Sequence, residues 1–112
     1  MKAKTSIRAK ILDFKLATQD EICQELGHRL KFQRLAKNMK QEELAVRSGV
    51  SVGTVKNLES KGQATLDTLV RIVYVLDLIQ DLEEAFVFKT QTIAQIEKLE
   101  KLTAIKIRRR AR

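Results

Sequence analysis

"KQEELAVRSGVSVGTVKNLES", residues 40–60, sets two short helical runs on either side of a single glycine, Gly49. A helix of about eight residues is marginal in water by itself, because nucleation is costly and few hydrogen bonds follow it. Both runs must therefore be held by packing. The first places Leu44 and Ala45 inward, and Gly49 supplies the positive φ that a tight connection between helices requires. Val50 plugs the turn, and Ser51 is a good N-cap for a second run over residues 52–59. In that second run only Val55 and Leu58 are clearly suited to burial. Its other residues make a polar side that packing does not explain.

The flanks supply the supports. "TQDE" at 18–21 matches a capping box, in which the Thr18 hydroxyl and the Glu21 carboxylate each accept from the other residue's backbone N–H. A long first helix is expected from there to about Lys37, with Ile22, Leu26, Leu30 and Leu35 facing inward. After the short pair, "SKGQAT" at 60–65 reads as a loop whose Thr65 caps a fourth helix, "LDTLVRIVYVLDL". Leu66, Leu69, Ile72, Val73 and Leu76 give that helix a wide apolar stripe. "QDLEEAFVF", residues 80–88, predicts a short fifth helix.

Outside these lie two basic extensions. "SIRAKILDFKL", residues 6–16, spaces Ile7, Ile11 and Phe14 as an amphipathic helix would, although a basic arm carrying apolar residues reads similarly. The tail, "TIAQIEKLEKLTAIKIRRRAR", repeats Ile93, Ile96, Leu99, Leu102 and Ile105 at steps of three. A strict three-step drifts around a helix and makes no heptad seam, so no coiled coil is expected. The expected organisation is a basic extension over 1–20, a helical domain over 21–88 and an amphipathic, basic tail over 89–112, helical or flexible, for partner or dimer contact.

Composition agrees with an all-α chain. Among 112 residues there is no proline and only 4 glycines, too few turn residues for a β-protein. The net charge of +8 suits a polyanionic partner, nucleic acid first, with an acidic protein or an anionic membrane behind it. No apolar run approaches the roughly 20 residues of a membrane span, and no secretory signal is expected at the start. Cys23 is the single cysteine, which excludes an internal disulfide and points to the cytoplasm. With His28 the only histidine, there is no material for a His/Cys metal site or a nucleophile–base pair, and no glycine-rich phosphate loop occurs. An enzyme is not expected, nor is a cofactor.

A helix, a glycine turn and a second helix with a polar outer side make a helix-turn-helix arrangement. Its second helix is free to enter the major groove of duplex DNA, which is wide enough for one α-helix. Just upstream, no acidic residue falls between Leu26 and Gln41, while Arg29, Lys31, Arg34, Lys37 and Lys40 accumulate. Such a run is ordinarily a solvated face; beside a helix-turn-helix it is also a candidate phosphate contact, Lys37 especially.

"LGHRLKFQRLAKNMKQEELAVRSGVSVGTVKNLESKG", residues 26–62, resembles the Cro/lambda-repressor-like (XRE) helix-turn-helix family through its Gln-Glu-Glu-Leu-Ala, Gly-Val-Ser and Leu-Glu elements. The resemblance implies a five-helix domain and a sequence-specific DNA-binding regulator that acts as a homodimer on an inverted repeat. It implies that Gln41 touches a phosphate and that Ser51, Val52, Gly53, Thr54, Lys56 and Asn57 face the groove, with Ser60 and Lys61 on the strand beyond. By the same resemblance Arg34, also a candidate DNA contact, and Glu59 form an ion pair between the first and third helices.

Two departures stand out. Val52 and Gly53 fall where many members carry base-reading polar residues, so base reading rests on few side chains, helped by DNA shape or by the basic N-terminal arm. Lys40 replaces the usual Ser, Thr or Asn cap. The layout is also similar to the antitoxin-repressors paired with high-persistence (Hip-type) kinase toxins. That resemblance implies a kinase-like toxin partner and autoregulation of a toxin–antitoxin operon. The alternative is an interaction protein whose DNA binding is secondary, carried by residues 82–107 and by Phe32 where exposed.

Overall fold

The computed structural model describes residues 12–89 and 92–111, with residues 105–111 described by backbone alone. Helices α1 (Gln19–Ala36), α2 (Gln41–Ser48), α3 (Val52–Lys61), α4 (Leu66–Val75), α5 (Ile79–Glu83) and α6 (Ile93–Ala111) follow one another, and the described residues contain no strand. The all-α class is as expected. Of the proposed helix over residues 6–16, most lies outside the described residues; residues 14–16 form a turn, with the Leu16 N–H donating to the Asp13 carbonyl at 2.9 Å.

The capping box opens α1. The Glu21 N–H donates to Thr18 Oγ1 at 3.1 Å, and the Thr18 N–H donates to Glu21 Oε1 at 2.9 Å. The inward face of α1 differs from the expected one. Leu26 and Leu35 are 43% and 47% exposed, whereas Glu25, Gly27 and Arg34 are buried. A chain of large apolar residues points to one side of this helix, but α3 docks against another. There Gly27 lets the two backbones approach: a Cβ on it would overlap the Leu58 carbonyl oxygen and lie 3.3 Å from the Gly62 Cα.

Helix α2 begins at Lys40 without a side-chain cap, as the sequence suggested, and ends on Gly49 at φ 74°. At the start of α3, Ser51 Oγ accepts from the Thr54 N–H at 3.0 Å. That helix runs on through Ser60 and Lys61, which were expected in a loop, and closes at Gly62 with φ 69°. The Gly62 backbone presses on the Cys23 carbonyl, leaving no room for a Cβ.

The core consists of Met39, Leu44, Ala45, Val55, Leu58, Ile72 and Leu76, with Leu30, Val50, Val52 and Leu69 packed on its margin. Full burial of a large aliphatic side chain contributes roughly 1.5–3 kcal/mol. Leu44, Val55, Ile72 and Leu76 are each essentially inaccessible, so packing outweighs the poor intrinsic stability of helices this short. Met39, in the turn between α1 and α2, was not among the expected core residues.

Two further corrections concern the downstream half. Leu66, at the first position of α4, is 74% exposed; the apolar stripe starts to meet the core only at Leu69. The fifth helix is shorter than the expected 80–88. It stops at Glu83, Phe86 takes the left-handed conformation at φ 59°, and its ring is fully exposed beside the exposed Val87 and Phe88. Helix α6 does form. Its Ile93, Ile96, Leu99 and Leu102 are 37–74% exposed, and no extensive packing joins it to another described helix. No helix among the described residues is long and apolar enough to cross a membrane.

Candidate nucleic-acid interface

One buried ionic array sets the positions of α1, α2 and α3. Arg34 of α1 donates from Nε to Glu59 Oε2 at 2.7 Å and from Nη2 to Glu59 Oε1 at 3.0 Å. Its Nη1 donates to the Met39 carbonyl at 2.7 Å, which ties down the turn into α2. Gln41, the first residue of α2, donates from Nε2 to the same Glu59 Oε1 at 2.9 Å. Arg34 and Glu59 are 5% and 3% exposed. A pair this dry requires all its hydrogen bonds, because removing one partner strands the other charge out of water. The geometry is the planar two-pronged fit of guanidinium to carboxylate.

Arg34 therefore spends its guanidinium inside the protein, and the expectation that it also touches DNA is corrected. Val52, at the first turn of α3, is half-buried and packs on the core margin. Gly53, Lys56, Asn57, Ser60 and Lys61 are exposed on α3, and Thr54 is half-buried. The Ser51 and Thr54 hydroxyls lie 2.9 Å apart and partner each other. Ser60 Oγ donates to the Lys56 carbonyl at 2.7 Å, so its proton is committed within the helix. Lys37 is exposed at the end of α1, and Gln41 is half-buried.

Helix α3 is consequently two-sided. Val55, Leu58 and Glu59 are buried and hold it to the body, while Gly53, Lys56 and Asn57 are exposed. The acidic residue on this helix is neutralised by Arg34. The arrangement leaves α3 with an exposed side that carries Lys56 and Lys61, the sign that a DNA groove attracts.

His28, read from the sequence only as the single histidine, and Lys31, one cation of the basic run, join this face. His28 and Lys31 of α1 line a notch of about 340 Å³ together with Gln41, Lys56, Glu59 and Ser60. The acid-free run over residues 26–41 was the available signal, but it could not say which of its cations turn toward α3.

Residues 30–79 match the model of a helix-turn-helix family, a span from Leu30 in α1 to Ile79 at the start of α5. With the helical order around it, this segment is a lambda-repressor-like helix-turn-helix fold, and the match supports a DNA-binding transcriptional regulator. A comparison with curated proteins returns no match.

Proposed function

We propose that the protein is a sequence-specific transcriptional repressor that binds double-stranded DNA as a homodimer on an inverted repeat and works in the cytoplasm on chromosomal DNA. The observation that carries this reading is the two-sidedness of α3, clamped on one side by Val55, Leu58 and the Arg34–Glu59 pair and open on the other at Gly53, Lys56 and Asn57. Asn57 suits an adenine edge, Lys56 a guanine or a phosphate, and the Thr54 methyl a thymine methyl. Gln41, Lys37, Ser60 and Lys61 suit contacts to the sugar-phosphate strand, which set orientation. No catalytic step is part of this reading.

Replacing Asn57 or Thr54 by Ala should relax base preference by about 1–3 kcal/mol, whereas Lys37→Ala should weaken all duplexes alike and flatten the salt dependence. Binding-site selection on the three variants tests this. An unchanged consensus in the Asn57 and Thr54 variants would remove α3 from base reading.

A second role is favoured by α6. Its exposed row of Ile93, Ile96, Leu99 and Leu102 has no described helix packed over it, which suits a protein partner. We place here the antitoxin reading, in which a kinase-like toxin is held and the operon is repressed by the same chain. A truncation lacking residues 90–112 should lose that partner in co-purification; retention would put the contact elsewhere.

A further inference from the structure

We propose that the exposed face of α4, the row Leu66, Val70 and Tyr74, is a docking site for helix α6 of a second copy of this chain. The inference rests on the homodimer reading above and supplies the surface which that reading lacks.

Nothing within the described fold uses this row. Ile72, Val73 and Leu76 take α4 into the protein, while Leu66, Val70 and Tyr74 are exposed, Tyr74 by 73%. Standing at i, i+4 and i+8, they form one ridge about 12 Å long. The Asp67–Arg71 ion pair, at 2.8 Å, runs beside it as a polar rim.

Helix α6 carries the matching element. Ile93, Ile96, Leu99 and Leu102 stand three apart, a ridge of about 14 Å. They too are exposed, and no extensive packing joins α6 to another described helix. A three-spaced ridge makes no heptad seam, but it does fit the groove beside a four-spaced ridge, with the axes about 20° apart. The two rows therefore differ in the way that lets them interlock, and they agree in length. A hollow of about 220 Å³, lined by Phe88, Gln95, Lys98, Leu99 and Leu102, lies along the α6 row. It suits an aromatic ring with a polar tip, and Tyr74 is the aromatic residue of the α4 row.

Charge orients the pair. From Ile72 to Phe88 the chain has Asp77, Asp81, Glu83 and Glu84 and no basic residue. Residues 106–111, the end of α6, hold four basic residues and no acidic one. With α6 parallel to α4, Leu102 meets the Tyr74 end. The basic end of α6 then continues toward the acidic corner and the negative C-terminus of α4.

A second copy is the occupant because reciprocal docking covers both rows of both chains. Over a two-fold pair the exposed parts of these side chains come to on the order of 1,500 Å², the size of a standard stable interface. Docking within one chain would bury half as much. The partner considered above, held on α6 alone, would leave the α4 row in water.

The test is sedimentation equilibrium of the full chain and of two double variants, Val70→Lys with Tyr74→Lys and Ile96→Lys with Leu99→Lys. All four positions are exposed, and thermal melts show that the variants are folded. Each variant should weaken self-association by about a hundredfold, since two apolar anchors are lost. An equimolar mixture of the two should associate more tightly than either alone, because the mixed pair keeps one intact α4–α6 contact. A dimer that the α4 variant leaves unchanged overturns the site while the homodimer reading stands. Loss in both variants without recovery on mixing shows that the rows do not meet across chains, and overturns it equally. A parent that is monomeric alone and on its selected duplex overturns the homodimer reading as well.

Discussion

Gly27 of α1 lies against the main chain of Leu58 in α3 so closely that a Cβ on Gly27 would overlap the Leu58 carbonyl oxygen. This contact decides which side of α1 is buried. It also brings Arg34, seven residues on, within reach of Glu59. Gly27→Ala gains about 1 kcal/mol of helix propensity but forces two backbones apart. Overpacking of that kind typically costs about 1–3 kcal/mol, and here the atom met is backbone that cannot rotate away. A net loss of stability is expected in urea melts; a variant as stable as the parent would show that α1 and α3 have slack.

Glu59→Ala leaves Arg34 buried with its charge uncompensated and frees the Gln41 amide. The expected loss is about 3–5 kcal/mol, the range for breaking one side of a buried pair. Replacing both partners together, Arg34→Met with Glu59→Leu, should recover much of it. A single-variant loss below about 0.5 kcal/mol in urea melts would mean that the array contributes little to holding α3.

Gly53 separates stability from binding. It is exposed, and a Cβ there would meet only Ser51 Oγ at 3.8 Å, so nothing within the protein requires glycine. Gly53→Ala should therefore stabilise the fold by about 0.5–1 kcal/mol, the usual penalty of glycine inside a helix. If the missing side chain serves a close approach to the DNA backbone, the same variant binds its operator more weakly. Equal affinity with higher stability would remove Gly53 from the interface.

Ser48 is buried at the end of α2, and its Oγ has no hydrogen-bond partner among the described residues. An unsatisfied buried hydroxyl is unfavourable, by about 1 kcal/mol or more. Ser48→Ala, which removes only that group, should raise the melting temperature. A fall would indicate that the hydroxyl finds a partner in solution.

Much of the fold was legible because its signals are local. Thr18 and Glu21 declare a capping box three residues apart, Gly49 declares a left-handed turn, and Ser51 and Thr65 declare helix starts; each needs no knowledge of distant residues. The register of α1 was not legible, because burial there follows a small residue, Gly27, and a paired charge, Arg34, whose partners lie on another helix. Hydrophobicity alone favours Leu26 and Leu35, which remain in solvent. The end of α5 was missed for a similar reason. "EEAFVF" suits a helix by composition, and nothing local announces the left-handed turn at Phe86.

The candidate site divides the same way. That α3 turns a polar side outward was readable from its scarcity of apolar residues, whereas the packing of Val52 against the core margin was not. Arg34 carried two expectations at once, and its burial allows only the structural one. His28 and Lys31 could be placed beside Gln41 and Lys56 only once α1 and α3 were docked.

The most direct test is selection of the full chain against random duplexes, followed by a salt titration on the retained sequence. A repressor that reads DNA through α3 should enrich an inverted repeat with half-sites about one helical turn, roughly 34 Å, apart. Its preference over random DNA should reach at least about 10³-fold. Weak, steeply salt-dependent binding with no consensus is the signature of phosphate attraction alone, and it would contradict sequence-specific repression.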